Sequence, residues 1–295
     1  MAQLDHIPVQ NYYNYCSLEA FAGIVSSKKI WLSARNASND PKEIQFAKQE
    51  IMTALKRVRH DIYEGYRGIF VSIMAGELVN LLETHEIYTM SLTSKGDDIP
   101  LWREYTLGGN GIAIGFRPRA LTDMHLRIHK VKYLEERSDE LFHLVSEFIK
   151  PYEFLIDNEK SEQAPSGIHP LVVEISTNLL AALFSIKSKG WEYESELRLS
   201  FASARENNEF EVSQLPNGAP LMWREPLKRN TRNGSVSYYD LRFGKFSDGD
   251  YDPSNAFSDI VIGPNAEFSP EDVEKLLRDN GFEVPPITKS VAAFR

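Results

Sequence analysis

Two glutamates separated by one residue are the strongest candidates for chemistry in this sequence. Glu194 and Glu196 lie in the segment 187–198, which has the pattern Lys-x-x-x-Trp-x-x-Glu-x-Glu-x-Arg. On a β-strand such a pair shares one face, where each negative charge raises the pKa of the other and Arg198 opposes that shift. A solvated face with an ion-paired ladder would also explain the acids, but it gives Lys187 and Trp191 no reason to lie beside them. Glu194 and Glu196 are therefore candidate site residues, and Lys187, Trp191 and Arg198 are candidate contacts beside them.

A tyrosine-rich segment near the N terminus places aromatic side chains beside small polar ones. It contains Tyr13, Asn14 and Tyr15, and the combination recurs at Trp31 and Ser33. Aromatic rings can stack on a base or on nicotinamide while polar groups hydrogen-bond a ribose. Tyrosines that simply pack in a strand are the alternative. We predict that Tyr13, Asn14 and Tyr15 contact a nucleotide.

A second polar and aromatic group lies in the middle of the chain. Ser91 belongs to the segment 88–93, and Trp102 and Tyr105 follow it. Because Trp102 and Tyr105 are three residues apart, they share one face of a helix, and such a face usually packs into a core. The glycines of the segment 108–111 permit a close approach of backbone, either by another strand or by a ligand. We predict Ser91, Trp102 and Tyr105 as substrate contacts.

The sequence lacks the standard signatures of nucleotide-binding and hydrolytic enzymes. It has no phosphate-binding loop, no dinucleotide-binding glycine pattern and no Gly-x-Ser-x-Gly elbow. His125 and His129 have metal-ligand spacing only on a helix, whereas the residues around them favour a strand. The single cysteine, Cys16, cannot form an intrachain disulfide. We predict no metal cofactor.

Composition and charge restrict the class of protein. The chain has 295 residues, 42% of them hydrophobic, and a formal net charge of −9, which is typical of a globular protein with a core. The negative charge argues against general nucleic-acid binding, because phosphate contacts require a basic surface. Four basic residues cluster in a Gly- and Asn-containing stretch, which we interpret as a solvated loop: Arg224, Lys228, Arg229 and Arg232.

The chain shows no targeting or membrane segment. The first residues lack the basic-then-apolar pattern of a signal peptide, and apolar runs such as 179–184 are too short to span a bilayer. These features predict a cytoplasmic protein without a membrane partner.

Helical and strand patterns occur in mixed order, without regular βαβ units. Ser17 is a predicted N-cap, and the segment 40–43 predicts a second helix start, with Asp40 and Glu43 acting as capping residues. We predict helices over 44–58, 68–82, 137–149, 171–186 and 270–279, and strands over 86–93, 112–116, 129–133, 194–201, 235–243, 259–262 and 288–293. The pattern favours an α+β fold with a mostly antiparallel sheet and flanking helices. We predict a single domain over 1–295, with a helical insertion at about 135–186.

Five short blocks, in chain order, resemble a widespread bacterial family of unknown function. The family pattern is Tyr-His-Tyr-Thr-Ser, Asn-Asp-Pro-x-Glu, Leu/Met-Trp-x-x-Tyr with Gly-x-x-Ile-x-Phe, Lys-x-x-x-Trp-x-x-Glu-x-Glu-x-Arg, and Ile-x-Ile-Gly. The blocks here are 13–17, 39–43, 101–105 with 111–116, 187–198 and 260–263. This chain departs from the family at Asn14, which replaces its histidine and does not titrate, and at Cys16, which replaces its threonine.

The layout of these blocks resembles the ADP-ribosyltransferase fold, in which three strands clamp NAD. The resemblance implies that Glu196 stabilises a cationic ribosyl transition state, that Glu194 orients the acceptor, and that Ser91 supports Glu196. It also implies that Tyr13 or Tyr15 stacks on nicotinamide. NAD would be a substrate, the acceptor macromolecule is unidentified, and the role would be that of a toxin or phage-defence effector.

Three functional hypotheses follow. The first is an NAD-using ADP-ribosyltransferase-like enzyme or NAD glycohydrolase. The alternative is a non-catalytic nucleotide- or partner-binding module that uses the same cleft, which the non-titrating Asn14 favours. A carboxylate-based hydrolase ranks last, because two acids on one strand point the same way rather than flanking a bond.

Overall fold

The computed structural model describes residues 6–35, 42–124, 126–136, 138–159, 170–204, 226–231, 234–247 and 250–292. The helices in these ranges are α1 (Leu18–Ser27), α2 (Glu43–Asp61), α3 (Gly65–Thr84), α4 (Ile99–Tyr105), α5 (Pro118–Thr122), α6 (Asp139–Ile149), α7 (Glu153–Glu159), α8 (Pro170–Leu183) and α9 (Pro270–Asp279). The strands are β1 (Tyr12–Cys16), β2 (Lys29–Ala34), β3 (His85–Thr93), β4 (Ile112–Phe116), β5 (Arg127–Lys130), β6 (Lys132–Leu134), β7 (Ile186–Ser188), β8 (Glu196–Ala204), β9 (Leu227–Thr231), β10 (Gly234–Arg242), β11 (Lys245–Ser247), β12 (Asp250–Asp252), β13 (Phe257–Ile262) and β14 (Ile287–Lys289).

One large sheet organises the described part of the chain. Its strands run in the order β14-β13-β4-β1-β3-β2-β10-β9, while β8 pairs with β3 and β5 pairs with β8. All its pairs are antiparallel except β13 with β14, and the separate pair of β6 with β7 is also parallel. The predicted α+β class with a mostly antiparallel sheet is confirmed.

Strand β3 has three partners, and this opens a gap in the sheet. One edge pairs with β8 along its whole length. The other edge is shared: β1 pairs with it at Thr93, and β2 pairs with it at Tyr88 and Thr89. Among the described residues, the stretch 90–92 therefore lies between two diverging strands on that edge. The backbone there is available to line a cleft, since an unpaired strand edge presents N–H and C=O groups.

Two apolar layers pack on the two faces of the sheet. On one face, residues such as Leu32, Leu92 and Leu197 pack with α1, α5 and α9. The other face is covered at one end by α2, α3, α6 and α8, which reach Ile87 of β3 and Ala202 of β8. Because side chains alternate between faces along a strand, the part of this second face beyond the apolar cluster carries polar residues of β3 and β8, among them Ser91, Glu196 and Arg198.

Several predicted starts and ends of elements match the structure. Ser17 caps α1, with its hydroxyl accepting a hydrogen bond from the backbone N–H of Ala20 at 3.2 Å. Helix α9 has the predicted bounds and begins with a capping box, and β4 also has the predicted bounds. Asp40 lies outside the described residues, whereas α2 begins at Glu43.

Three expectations need correction. The strand expected from Glu194 begins only at Glu196, because the preceding residues form a 3₁₀ helix. The helix expected to reach Ile186 ends at Leu183, and Ile186 begins β7. The basic cluster is not a loop where it is described: Lys228 and Arg229 lie on β9. Its other members, Arg224 and Arg232, lie outside the described residues.

The helices of the expected insertion, α6 to α8, lie between β6 and β7 in the chain. They pack against α2 and α3 in one apolar cluster, so the helical layer is built from two separate parts of the chain. The single-domain assignment stays a prediction. In the described ranges no helix combines the length and the apolar character needed to cross a membrane.

Substitution of Gly111 tests how tightly β1 and β4 pack beside the site. A Cβ atom at Gly111 would lie 2.5 Å from the carbonyl oxygen of Cys16 and 2.7 Å from Cβ of Thr106, and backbone cannot move away cheaply. We expect Gly111→Ala to lower the free energy of unfolding by about 1–3 kcal/mol, measured by urea denaturation.

Gly76→Ala is the matched control. Gly76 lies inside α3, and nothing would lie within 4 Å of an added Cβ. Alanine should therefore raise the free energy of unfolding by about 0.5–1 kcal/mol. Equal effects of the two substitutions would contradict the packing described at Gly111.

Candidate functional site

Cross-strand register brings Tyr13, Ser91 and Glu196 onto one face of the sheet. Tyr13 is opposite Thr93, Thr93 is opposite Glu196, and Ser91 is opposite Arg198. Residues that are directly opposite in a ladder lie on the same face, as do residues two apart on a strand. Tyr13 and Glu196 therefore lie close together at the end of β3, although 183 positions separate them in the sequence.

These residues line a cleft of about 300 Å³. Its walls come from β1, β2, β3, β9 and α4, and Glu194 and Glu196 lie at one end. The lining consists of Tyr13, Asn14, Tyr15, Trp31, Ser33, Thr89, Met90, Ser91, Leu92, Thr93, Leu101, Tyr105, Glu194, Glu196 and Arg229. A cavity of this size with a few convergent polar groups is a typical small-molecule site.

Glu196 is buried and held from three sides. One carboxylate oxygen, Oε1, accepts hydrogen bonds from the hydroxyl of Ser91 and from Nε of Arg198, the latter at 2.8 Å. The other, Oε2, accepts from Nη2 of Arg198 at 2.8 Å, and Nζ of Lys187 lies 3.6 Å away. The backbone N–H of Glu196 donates to the hydroxyl of Tyr133 at 2.7 Å. Its geometry is fixed before any ligand binds.

Glu194 has different surroundings because the backbone turns between the two acids. Ser195 is in the left-handed region, with φ 47° and ψ 49°, so Glu194 belongs to the 3₁₀ helix and not to β8. Its carboxylate accepts hydrogen bonds from the hydroxyl of Tyr105 and from Nζ of Lys187. The prediction that both acids share one strand face is therefore wrong, and so is the alternative of a solvated face, since both are at least 95% buried.

Two further charged residues complete the network. Glu43 accepts from Nη2 of Arg198 at 2.9 Å and forms an ion pair with Arg35. Both are buried, so Glu43 is not only a helix-start residue, as its sequence context had indicated. The network therefore contains three carboxylates and three cationic side chains, namely Glu43, Glu194, Glu196, Arg35, Lys187 and Arg198. Buried charges need such compensation, because an unpaired ion is costly in a medium of low dielectric.

The network shifts the pKa values of Glu194 and Glu196 in opposite directions. Burial opposes ionisation of Glu196, but the charges of Arg198, Lys187 and Arg35 and the hydrogen bond from Ser91 outweigh it and lower its pKa to about 2. For Glu194, burial dominates and raises the pKa above its ordinary range, although Lys187 counteracts the shift. Two neighbouring acids with opposite shifts are a common arrangement where one must stay ionised and the other must exchange a proton.

The structure brings most of the predicted site residues to the cleft. Seven line it, namely Tyr13, Asn14, Tyr15, Ser91, Tyr105, Glu194 and Glu196. Lys187 and Arg198 lie behind the glutamates and contact their carboxylates. Trp102 is fully buried; its ring packs against Tyr15 at 4.6 Å. Trp191 is partly exposed and lies under Nζ of Lys187, 4.6 Å from its ring centre.

Sequence reasoning missed four residues of this region. Arg35 and Glu43 were not recognised as charge partners, Tyr133 was not recognised as an acceptor for the Glu196 backbone, and Arg229 was assigned to a loop. The sequence did contain one signal for the burial of Arg35. This residue directly follows the mostly apolar segment 30–34. In the described ranges no cluster of His, Cys, Asp and Glu has the geometry to hold a metal ion.

Part of the chain matches a known protein family. Residues 101–199 match the family described as "Protein of unknown function (DUF2971)". The matched segment runs from α4 into β8 and contains Glu194, Glu196, Lys187 and Arg198, so this third of the chain resembles a domain family of unknown function. No curated protein and no solved structure matches the chain.

Replacement of Lys187 tests the charge balance of the network. Lys187→Met leaves two buried carboxylates with one cation fewer, and we expect a loss of about 3–5 kcal/mol of unfolding free energy. Without the lysine, the pKa of Glu194 rises further above its unfolded value, so the folded state binds more protons than the unfolded state. Stability should therefore fall as pH rises from 5 to 8, which urea denaturation at several pH values would measure.

The double variant Lys187→Met/Glu194→Gln restores the balance, so it should lose less stability than Lys187→Met alone. Arg278→Met is the control, since it removes an exposed ion pair with Glu274 and should cost less than about 1 kcal/mol. A double variant less stable than the single variant would contradict the pairing of Lys187 with Glu194.

Proposed function

We propose that this protein is an NAD-using ADP-ribosyltransferase-like enzyme whose reaction takes place in the cleft beside Glu196. The observation that carries the proposal is a buried, ionised carboxylate that is oriented by Ser91 and faces a cleft lined by aromatic and small polar side chains. An ionised carboxylate stabilises a developing positive charge, and it does so best where water is excluded.

The hydrogen-bond capacity of Glu196 supports a contact with a ligand. A carboxylate has about four acceptor positions. Ser91 and the two donors of Arg198 occupy three of them, while Lys187 lies beyond hydrogen-bond distance at 3.6 Å. Among the residues that the structure describes, no further donor lies within hydrogen-bond distance of Oε2, and a ribose hydroxyl could donate to it. Arg198 and Lys187 act as positioning residues, because they contact Glu196 and not the cleft.

The two glutamates would have different roles in the reaction. The bond from C1′ of the ribose to the nicotinamide nitrogen breaks, and its electron pair leaves with neutral nicotinamide. Glu196 stabilises the resulting ribosyl cation. An oxygen of water or of an acceptor group attacks C1′ and loses its proton to Glu194, whose raised pKa suits a general base.

Between the two tyrosines considered for stacking, the contacts favour Tyr13. The hydroxyl of Tyr15 donates to the carbonyl of Lys95 and accepts from the N–H of Asp98, and its ring packs on Trp102, so Tyr15 is committed to internal contacts. Tyr13 is half-buried, and its hydroxyl donates to Asp259 at 3.3 Å. Tyr13 is the more exposed of the two side chains and is therefore the better candidate to contact nicotinamide.

The alternative is a non-catalytic binding module that uses the same cleft. Two observations favour it. The charge of Glu196 is balanced by the two donors of Arg198, and Asn14, whose side-chain amide donates to the carbonyl of Ser91 at 3.4 Å, cannot exchange a proton. A module of this kind would be stabilised by a nucleotide without converting it.

Release of nicotinamide from NAD separates the two possibilities. The purified protein should release nicotinamide, and Glu196→Gln should reduce the rate by roughly 10²- to 10³-fold, as for removal of other electrostatic stabilisers of a transition state. Thermal unfolding of each variant with and without NAD shows whether binding persists. Expression in a bacterial host, with NAD levels as the readout, tests the toxin or phage-defence role.

Glu283→Gln provides the control, since Glu283 is exposed and does not line the cleft. Its rate should equal that of the parent protein. Release that is unchanged by Glu196→Gln would reject the catalytic role, and stabilisation by NAD without any release would favour the binding module.

A further inference from the structure

A second cavity adjoins the cleft through the gap in the sheet. It also has a volume of about 300 Å³, and it is bounded by α1 and β2, including Glu19, Ala20, Gly23 and Ile24. Six residues line both cavities, namely Asn14, Tyr15, Trp31, Ser33, Met90 and Arg229. These six form the junction where β1 and β2 diverge. An extended ligand could therefore pass from the glutamate end, across the junction, to the face of α1.

Arg229 is the cation at this junction. It faces Val236 in the β9–β10 ladder, and Tyr238 faces Ser33 across β10 and β2, so Arg229, Tyr238, Ser33 and Trp31 share one sheet face. The guanidinium lies 4.9 Å from the ring centre of Trp31 and 5.8 Å from that of Tyr238. Its Nη2 donates to the hydroxyl of Ser33 at 2.9 Å.

No carboxylate in the described part of the chain forms an ion pair with Arg229. Its neighbours are two aromatic rings and one hydroxyl, and its Nε is buried without a hydrogen-bond acceptor among the described residues. A buried donor without an acceptor is uncommon in a folded protein and needs an explanation. By contrast, Lys29, which also lines the second cavity, donates to Asp240 at 2.6 Å.

We infer that Arg229 is a phosphate-binding residue, and that the two cavities hold the two halves of a dinucleotide whose diphosphate lies at the junction. Arginine suits this position, because its planar guanidinium matches the oxygens of a phosphate and can stack on aromatic rings at the same time. The inference rests on the proposed function, since it names the part of NAD that each cavity holds.

The assignment also gives Trp31 a role. Its side chain is 46% exposed, while its ring lies 4.8 Å from that of Tyr238 at an angle of 44°. A large aromatic side chain that stays exposed beside a guanidinium is typical of a surface on which a base can stack. The ribose next to nicotinamide would lie beside Glu196, and the adenosine half would extend past Trp31 toward α1.

Binding of ADP and adenosine tests the phosphate site, because the two ligands differ only in the diphosphate. By isothermal titration calorimetry, the parent protein should bind ADP more tightly than adenosine. Arg229→Gln should weaken ADP binding by roughly ten- to a hundredfold, the loss expected for a charge-assisted hydrogen bond, and leave adenosine binding unchanged. Arg229→Lys should recover part of the loss.

Lys228→Gln is the matched control. Lys228 is the exposed neighbour of Arg229 on β9 and points to the opposite face, so its substitution removes the same charge without touching the junction. It should leave ADP affinity unchanged. An equal loss in both variants, an equal loss for ADP and adenosine, or no ADP binding by the parent protein would each overturn the assignment.

Turnover separates this inference from the proposed function. ADP binding that depends on Arg229, together with no release of nicotinamide from NAD, would reject the enzyme and keep the phosphate site. Release of nicotinamide with a KM for NAD that Arg229→Gln does not change would reject the phosphate site and keep the enzyme.

Discussion

The pairing of Arg198 with Glu196 is the interaction on which the rest of the site depends. Arg198 is 1% exposed and donates to Glu196, to Glu43 and to the carbonyl of Phe184. A guanidinium this deep in the protein requires every donor to be matched, since leaving either ion alone would cost several kcal/mol. The arginine therefore fixes the carboxylate on one side and the helical layer on the other, joining β8 to α2 and to the end of α8.

This neutral network explains how a polar cleft can lie beside two apolar layers. The acids and the cations of the network compensate one another, so the glutamate end of the cleft carries little net charge. Arg229, which has no ion-pair partner among the described residues, lies outside this network. The gap between β1 and β2 supplies the space. The gap and the position of Glu196 beside it both depend on β3. This strand pairs with β8 on one edge and with β1 and β2 on the other.

Local patterns predicted the elements well where local interactions decide them. Ser17 and the capping box of α9 are set by neighbouring residues, and β4 is an apolar run that is buried throughout. The meeting of Tyr13, Ser91 and Glu196 could be anticipated from their residue types. The division of β3 and the burial of Glu43 could not, because strand pairing across the chain and the surroundings of a helix face leave no short-range pattern.

The left-handed conformation of Ser195 restricts which residue types can separate the two acids. In an uninterrupted strand, a Glu-x-Glu spacing would give both side chains equivalent pleat positions and similar environments. The bend at Ser195 gives the two carboxylates different surroundings, so the opposite shifts of their pKa values follow from one backbone conformation. The middle residue lies outside the cleft, yet it must tolerate φ near 47°, which glycine or asparagine can do and a β-branched residue resists.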